Sequence, residues 1–309
     1  MSRASGLISS AILLLLAYLS VPANVAYSQQ VSDPTFDAKV MHPAYVEKRP
    51  TVLFDEAHNN FHTAGGRYKP FADLITNDGY QVVPNSQKFE KLTLTRYDVL
   101  VIANALGSAD SDSADAANPA FTEQECDVVR DWVREGGALL LIADHAPAGG
   151  AAANLASRFG VDMSKAYAAD PTNFERVTLD ASWIMFSREN KALADHPITR
   201  GRDASERVNR VLSFTGQSLK GPKGSVALLR LSDAAYDVLQ FGQPQQARTI
   251  SAAGRAQAIA MPFGKGRVLI FGEAAMLSAQ NRNFGMNYPG TDNRQLVLNS
   301  MHWLTGLLK

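Results

Sequence analysis

The sequence predicts an α/β fold built on a doubly wound, mostly parallel sheet. Two observations carry this. Runs such as "YDVLVIANAL" and "ALLLIADH" are apolar almost throughout, as strands buried on both faces must be. Segments with helical periodicity separate them, which is the βαβα pattern of a sheet covered on both sides.

The elements follow in order. "TVLFDEA" reads as a first strand and "KPFADLITNDG" as a short helix stopped by Gly79. "YQVVPNS" and "YDVLVIANAL" are the second and third strands. After a small-residue acidic loop, Thr122 and Glu125 form a capping box, with Val129, Trp132 and Val133 as the buried stripe of the helix that follows. That helix ends at Gly136 and Gly137, "ALLLIADH" is the fourth strand, and "GGAAANLASRFG" is the next helix. Residues 161–255 are less regular, with strand-like "VNRVLSFTG", "SVALLRL" and "YDVLQF" predicting a β-rich extension. "AQAIAMPFGKGRVLIFGE" is a hairpin turning at "GKG". "DNRQLVLNSMHWLTGLLK" is a last helix, with Asp292 as N-cap and Val297, Met301, Leu304 and Leu308 on one face; His302 within it is expected to be structural or exposed.

The chain has 309 residues, of which 46% are hydrophobic and 19% charged, so it can bury a sizeable core. Its 30 basic and 30 acidic residues cancel, and no basic cluster with interleaved aromatics is present, which argues against nucleic acid as a partner. "MSRASGLISSAILLLLAYLSVPANVAYSQQ" has the n-region, short apolar core and small-x-small site of a secretory signal. The expected organisation is a signal peptide at 1–28, a polar lead-in at 29–49 and one α/β domain at 50–309, in a periplasmic or secreted protein without stable membrane insertion after cleavage. Cys126 is the only cysteine, so no intramolecular disulfide can form, and its mid-helix position predicts a structural thiol.

Ligands of open parallel sheets bind beyond the carboxyl ends of the strands. Three polar clusters fall there: Asp55, Glu56 and His58 after the first strand, Asp144 and His145 after the fourth, and Glu273 with the amide-rich loop "SAQNRNFGMNYPGTDN" after the last. Polar residues also cap strand ends for purely structural reasons, and the convergence of three clusters is what favours function. Glu56, His58, Asp144 and His145 are the candidate acid–base residues. Asp55, Glu273, Asn281 and Asn287 are candidate ligand contacts. Alternatively, Asp55, His58 and His145 supply two imidazoles and a carboxylate for a divalent metal such as zinc or manganese. With the first strand central and close to the third and fourth, the 55–58 and 144–145 clusters should meet, Glu273 should be peripheral, and His62 should matter less than His58. "HNNFH" has Asn59 where a zincin needs glutamate, "FGKGR" lacks the glycine spacing of a phosphate loop, and there is no G-x-S-x-G elbow.

The run "YDVLVIANAL…FTEQECDVVRDWVREGGALLLIADHAPAGGAAANLASRFGV", with "GKGRVLIFGEAAMLSAQN" and "DNRQLVLNSMHWLTG", resembles the class I glutamine amidotransferase-like superfamily. The branch resembled holds bacterial proteins of no assigned reaction and auxiliary proteins of gliding-motility ABC transporters; trehalose-utilisation-type proteins are a more distant likeness. The resemblance spans about Thr51 to Leu308 and implies a flavodoxin-like three-layer sandwich. Where true amidotransferases carry a cysteine after the matching strand, this chain has Asp144, His145, Ala146 and Pro147, which excludes thiolate amidotransferase chemistry. Two functions follow as expectations. One is an exported hydrolase acting on a small polar or carbohydrate-like molecule; the other is a non-catalytic ligand- or partner-binding module.

Overall fold

The computed structural model describes residues 31–239, 247–281 and 283–309. The expected signal peptide and the end of "YDVLQF" lie outside these residues. The fold is a flavodoxin-like three-layer α/β sandwich with a mostly parallel central sheet. Its parallel part comprises β1 (Thr51–Asp55), β2 (Gln81–Asn85), β3 (Val99–Ala103), β4 (Ala138–Ile142) and, after the hairpin partner β5 (Ala256–Phe263), β6 (Gly266–Phe271). The order β2–β1–β3–β4–β6 is parallel throughout; β5 then pairs antiparallel with β6 and carries the sheet on to Leu219–Lys220 and Asp162–Met163.

Alternation along these strands sorts two cores. Val52, Phe54, Val99, Val101, Leu140 and Ile142 face one side, under α1 (Lys69–Asn77) and the C-terminal helix α4 (Asn293–Leu304). Leu53, Leu100, Ile102, Leu139 and Leu141 face the other, under α2 (Glu123–Glu135) and α3 (Ala148–Ser157). Each fully buried aliphatic side chain stabilises the fold by roughly 1.5–3 kcal/mol relative to exposure. The predicted capping box is present: Glu125 N donates to Thr122 Oγ1 at 3.2 Å, and Thr122 N to Glu125 Oε2 at 3.0 Å.

The middle of the chain forms two three-stranded antiparallel sheets, Tyr167–Ala169 with Tyr236–Leu239 and Arg248–Ser251, and Phe174–Glu175 with Asp180–Ser187 and Arg210–Leu212. Asp292 stands at the N-cap of α4 but makes no side-chain cap bond; its carboxylate accepts from Asn209 N at 2.7 Å and Arg210 N at 3.0 Å, tying the helix to the extension. His302 is buried, with Nε2 2.6 Å from Asp78 Oδ2. No helix among the described residues is long and apolar enough to cross a membrane.

Candidate functional site at the carboxyl edge

The loop after β1 is built around His58. Its Nδ1 lies 2.9 Å from both Asp55 oxygens and its Nε2 2.9 Å from Glu125 Oε1 on α2. Its ring packs between Phe89 and Phe121, each with its centroid 4.7 Å away. Burial works against the imidazolium, but the bonds and charges of Asp55 and Glu125 outweigh it, so the His58 pKa is raised. Burial likewise opposes ionisation of Glu125, yet hydrogen bonds from His58 and Thr122 bring its carboxyl down to about 2. With both ring nitrogens engaged by carboxylates, His58 is a buried clip between the β1 loop and α2. Asp55 is part of the same clip and also accepts from Asn60 Nδ2 at 3.0 Å. Glu56 closes the loop by accepting from Ala64 N at 2.8 Å.

The trio Asp55, His58 and His145 therefore forms no common centre, and among the described residues no three His, Cys, Asp or Glu side chains are grouped to hold a metal ion. The expected ligand contacts Asn281 and Asn287 belong to the lead-in's seat. Asn281 N donates to Val31 O, and Asn287 Nδ2 to Asp33 Oδ2 at 2.7 Å.

The carboxyl residues that the sheet places side by side are Asp144 and Glu273. Ile142 pairs with Phe271 across β4 and β6, so Asp144 and Glu273 leave neighbouring parallel strands at matching positions. Glu273 is thus central to the edge, contrary to the peripheral place expected for it, because β6 lies directly beside β4. It is fully buried, and its two oxygens accept from Ala275 N at 2.6 Å and Met276 N at 2.7 Å. Burial first, and then the charge of Asp144, push its carboxyl well above the ordinary range, against the opposing pull of these amides. Burial also raises the Asp144 pKa, against the neighbouring His145 and backbone donors. The Asp144 side chain retains 22% exposure and that of His145 25%, so these two face solvent while Glu273 lies beneath.

The surrounding chain fixes this pair. Asn104 Oδ1 accepts from Asp144 N at 2.9 Å, and Asp144 Oδ1 accepts from His145 N at 2.9 Å. Gln217 Nε2 donates to Ala143 O at 2.8 Å and Asp144 O at 3.0 Å, while its Oε1 accepts from Lys165 N at 2.9 Å. His145 Nδ1 is 2.8 Å from Ala146 O, which places a ring proton on Nδ1, and its Nε2 lies 4.0 Å from Asp144 Oδ1. Asn104, Lys165 and Thr215 all hold positive φ, at 47°, 64° and 69°. For a β-branched residue such as Thr215 this is a strained conformation, of the kind that accumulates at functional sites. A Cβ on Gly216 would lie 2.5 Å from Glu273 Cβ, so that position must stay bare.

Two further residues belong here: Tyr68, which the sequence does not single out, and His62, for which it predicts a lesser part than His58. Tyr68, at the start of α1, is fully buried and donates from its hydroxyl to Ala274 O at 2.6 Å. His62 packs on it with ring centroids 4.7 Å apart, and burial pulls its imidazole down to about 3, so it is neutral. Only the return of the β1 loop onto α1 brings them to the end of β6.

Among solved structures the chain is similar to the mmIFT52 N-terminal domain, at 13% identity and TM-score 0.59, over 82% of this chain and 97% of that one. It is also similar to a ThuA-like protein from Bacteroides uniformis (14% identity, TM-score 0.46, 87% and 97% covered) and one from Parabacteroides merdae (12%, 0.44, 84% and 91%). At these identities the likeness concerns the fold, and the gliding-motility part of the resemblance gains no support from it. No protein family matches the chain, and no curated protein does.

Proposed function

We propose that this protein is an exported hydrolase for a small polar or carbohydrate-like molecule, with Asp144 and His145 as its acid–base pair. The observation that carries the reading is the placing of two carboxyl residues at matching ends of the adjacent strands β4 and β6, with Glu273 sealed and Asp144 partly exposed beside His145. His145 Nε2 takes a proton from the attacking water, and Asp144, whose proton affinity is raised by burial, delivers a proton to the leaving group. Glu273 touches no solvent and is a positioning residue, holding the turn at Ala275–Leu277 by accepting from its amides. The signal-like amino terminus supports export, and the balanced charge agrees with an uncharged ligand rather than a polyanion.

The binding-module reading has its own support, since Glu56, His58 and Asp55 are all committed to the loop's own bonds. One experiment separates the two. Hydrolysis of a panel of p-nitrophenyl esters and glycosides is measured for the wild type, Asp144→Asn, His145→Ala and His58→Gln. The expected result is a loss of at least about 100-fold for the first two variants at unchanged melting temperature, with turnover per folded molecule kept in His58→Gln. Saturable ligand binding by the wild type with no turnover anywhere in the panel would select the binding module.

A further inference from the structure

Glu273 is sealed from solvent, and the amides that hold its carboxyl are themselves held. Ala275 N donates to Oε1 at 2.6 Å and Met276 N to Oε2 at 2.7 Å. Each of these amides shares a peptide unit with the carbonyl before it. Behind Ala275 N is Ala274 O, which accepts from the Tyr68 hydroxyl at 2.6 Å. Behind Met276 N is Ala275 O, which accepts from the Ser278 hydroxyl at 2.9 Å. We propose that Tyr68 and Ser278 are positioning residues that act on Glu273 through these two peptides; their bearing on hydrolysis rests on the reading of Asp144 and His145 given above.

A donor on a peptide carbonyl polarises the whole unit and makes its N–H the stronger donor, and in a low-dielectric interior such chains strengthen bond by bond. Two chains of this kind end on the two oxygens of one carboxyl. One runs from the Tyr68 hydroxyl through the Ala274–Ala275 peptide, the other from the Ser278 hydroxyl through the Ala275–Met276 peptide. The backbone supplies a second donor to each carbonyl, Leu277 N to Ala274 O at 3.2 Å and Ser278 N to Ala275 O at 3.0 Å. These backbone bonds close the turn, and the hydroxyls add to them. The Tyr68 bond is the shortest of the four. Gln280 Nε2 donates to the Ser278 hydroxyl at 2.9 Å, which leaves the serine proton for Ala275 O.

Tyr68 serves here as a donor and not as an acid or base. Its ring is fully buried beside His62, Phe71 and Phe54, with centroids 4.7, 5.5 and 6.2 Å away, so it meets no substrate. Burial, and after it the charges of Glu273 and Asp144, push its phenol well above the ordinary range, so the proton stays on the hydroxyl. The groups that face Glu273 are few. Asp144, with His145 beside it, brings a charge from the end of β4; the start of α1 brings the neutral phenol; the chain at Phe214 brings an amide and no charge. The amides of Ala275 and Met276 pull the Glu273 carboxyl down against its burial, so weakening either one raises it.

The Glu273 carboxyl is titrated by carbon-detected NMR in the full protein. Tyr68→Phe, which keeps the ring and removes the hydroxyl, and Ser278→Ala should each raise the midpoint by at least about 0.3 pH unit. Tyr80→Phe is the control. It removes a buried hydroxyl, 3.3 Å from Thr305 Oγ1, just before the start of β2 at the other end of the sheet, and should leave the midpoint in place. A merely structural role would lower the melting temperature and leave the midpoint alone. A midpoint that stays or falls in Tyr68→Phe and Ser278→Ala, or that rises as far in Tyr80→Phe, would overturn the proposal. Should Tyr68→Phe fail to fold, Ser278→Ala decides by the same measurement. Turnover of the p-nitrophenyl panel by the same variants bears on the hydrolase reading alone, because the midpoint is read without substrate.

Discussion

Replacing His58 by alanine should destabilise the protein without touching its chemistry. The imidazole is 5% exposed and makes hydrogen bonds of 2.9 Å to Asp55 and to Glu125. Its removal leaves Asp55 with Asn60 Nδ2 and a long bond from Ala57 N at 3.3 Å, and Glu125 with amides of Phe89 and Thr122. Two buried carboxylates then face each other's surroundings without the cation between them. Breaking a buried ion pair in this way costs about 3–5 kcal/mol, which for a domain of this size lowers the melting temperature by roughly 6–20 °C. The pH dependence follows from the raised His58 pKa. A group with a raised folded value gives stability that is fully present below its ordinary value of 6.5 and is lost as pH rises through the folded value. The gap between wild type and His58→Ala should therefore be largest at about pH 5.5 and narrow towards pH 9. Glu125, brought down to about 2 from 4.5, adds stability present above 4.5 that disappears only as pH falls through about 2. Thermal melts by circular dichroism at these pH values are the assay. A His58→Ala protein that melts with the wild type but loses ligand binding would refute the clip and restore His58 to the site.

Three other outcomes are expected. Cys126, fully buried and with its thiol pushed up to about 12 chiefly by burial, should react with Ellman's reagent only on unfolding, and Cys126→Ser should cost at most about 1–2 kcal/mol with function kept. Gly216→Ala forces a Cβ to within 2.5 Å of Glu273 Cβ and should cost about 1–3 kcal/mol or more in urea unfolding, with the added effect of displacing Glu273. Asn104→Gly keeps the positive φ but loses the bond to Asp144 N, whereas Asn104→Ala loses both, so alanine should be the more damaging by about 1 kcal/mol in the same assay.

The sequence makes the sheet legible because strands buried on both faces must be apolar throughout, and "ALLLI" and "VLVIA" admit no other environment. The capping box at Thr122 and the glycines closing helices are equally local signals. The candidate site was legible only in part. The strand-end rule finds Asp144, His145 and Glu273, but which strand ends adjoin is a matter of crossovers, and the pairing of β6 with β4 is what makes Glu273 central. His58 misleads because its proximity to Asp55 resembles a catalytic pair, whereas its second partner, Glu125, lies 67 residues away and does double duty in the helix cap. Tyr68 escapes notice, and His62 is placed only as further out than His58, because their meeting is tertiary, through the fold of the β1 loop onto α1.

The most direct test of the central claim is a carbon-detected NMR titration of the Glu273 side-chain carboxyl in the wild type and in Asp144→Asn. If the two carboxyls form one coupled unit at the ends of β4 and β6, Glu273 titrates well above its ordinary value of 4.5 in the wild type, and its midpoint falls when the charge of Asp144 is removed. A Glu273 carboxyl that titrates at or below 4.5, or whose midpoint is unmoved by Asp144→Asn, would contradict the account.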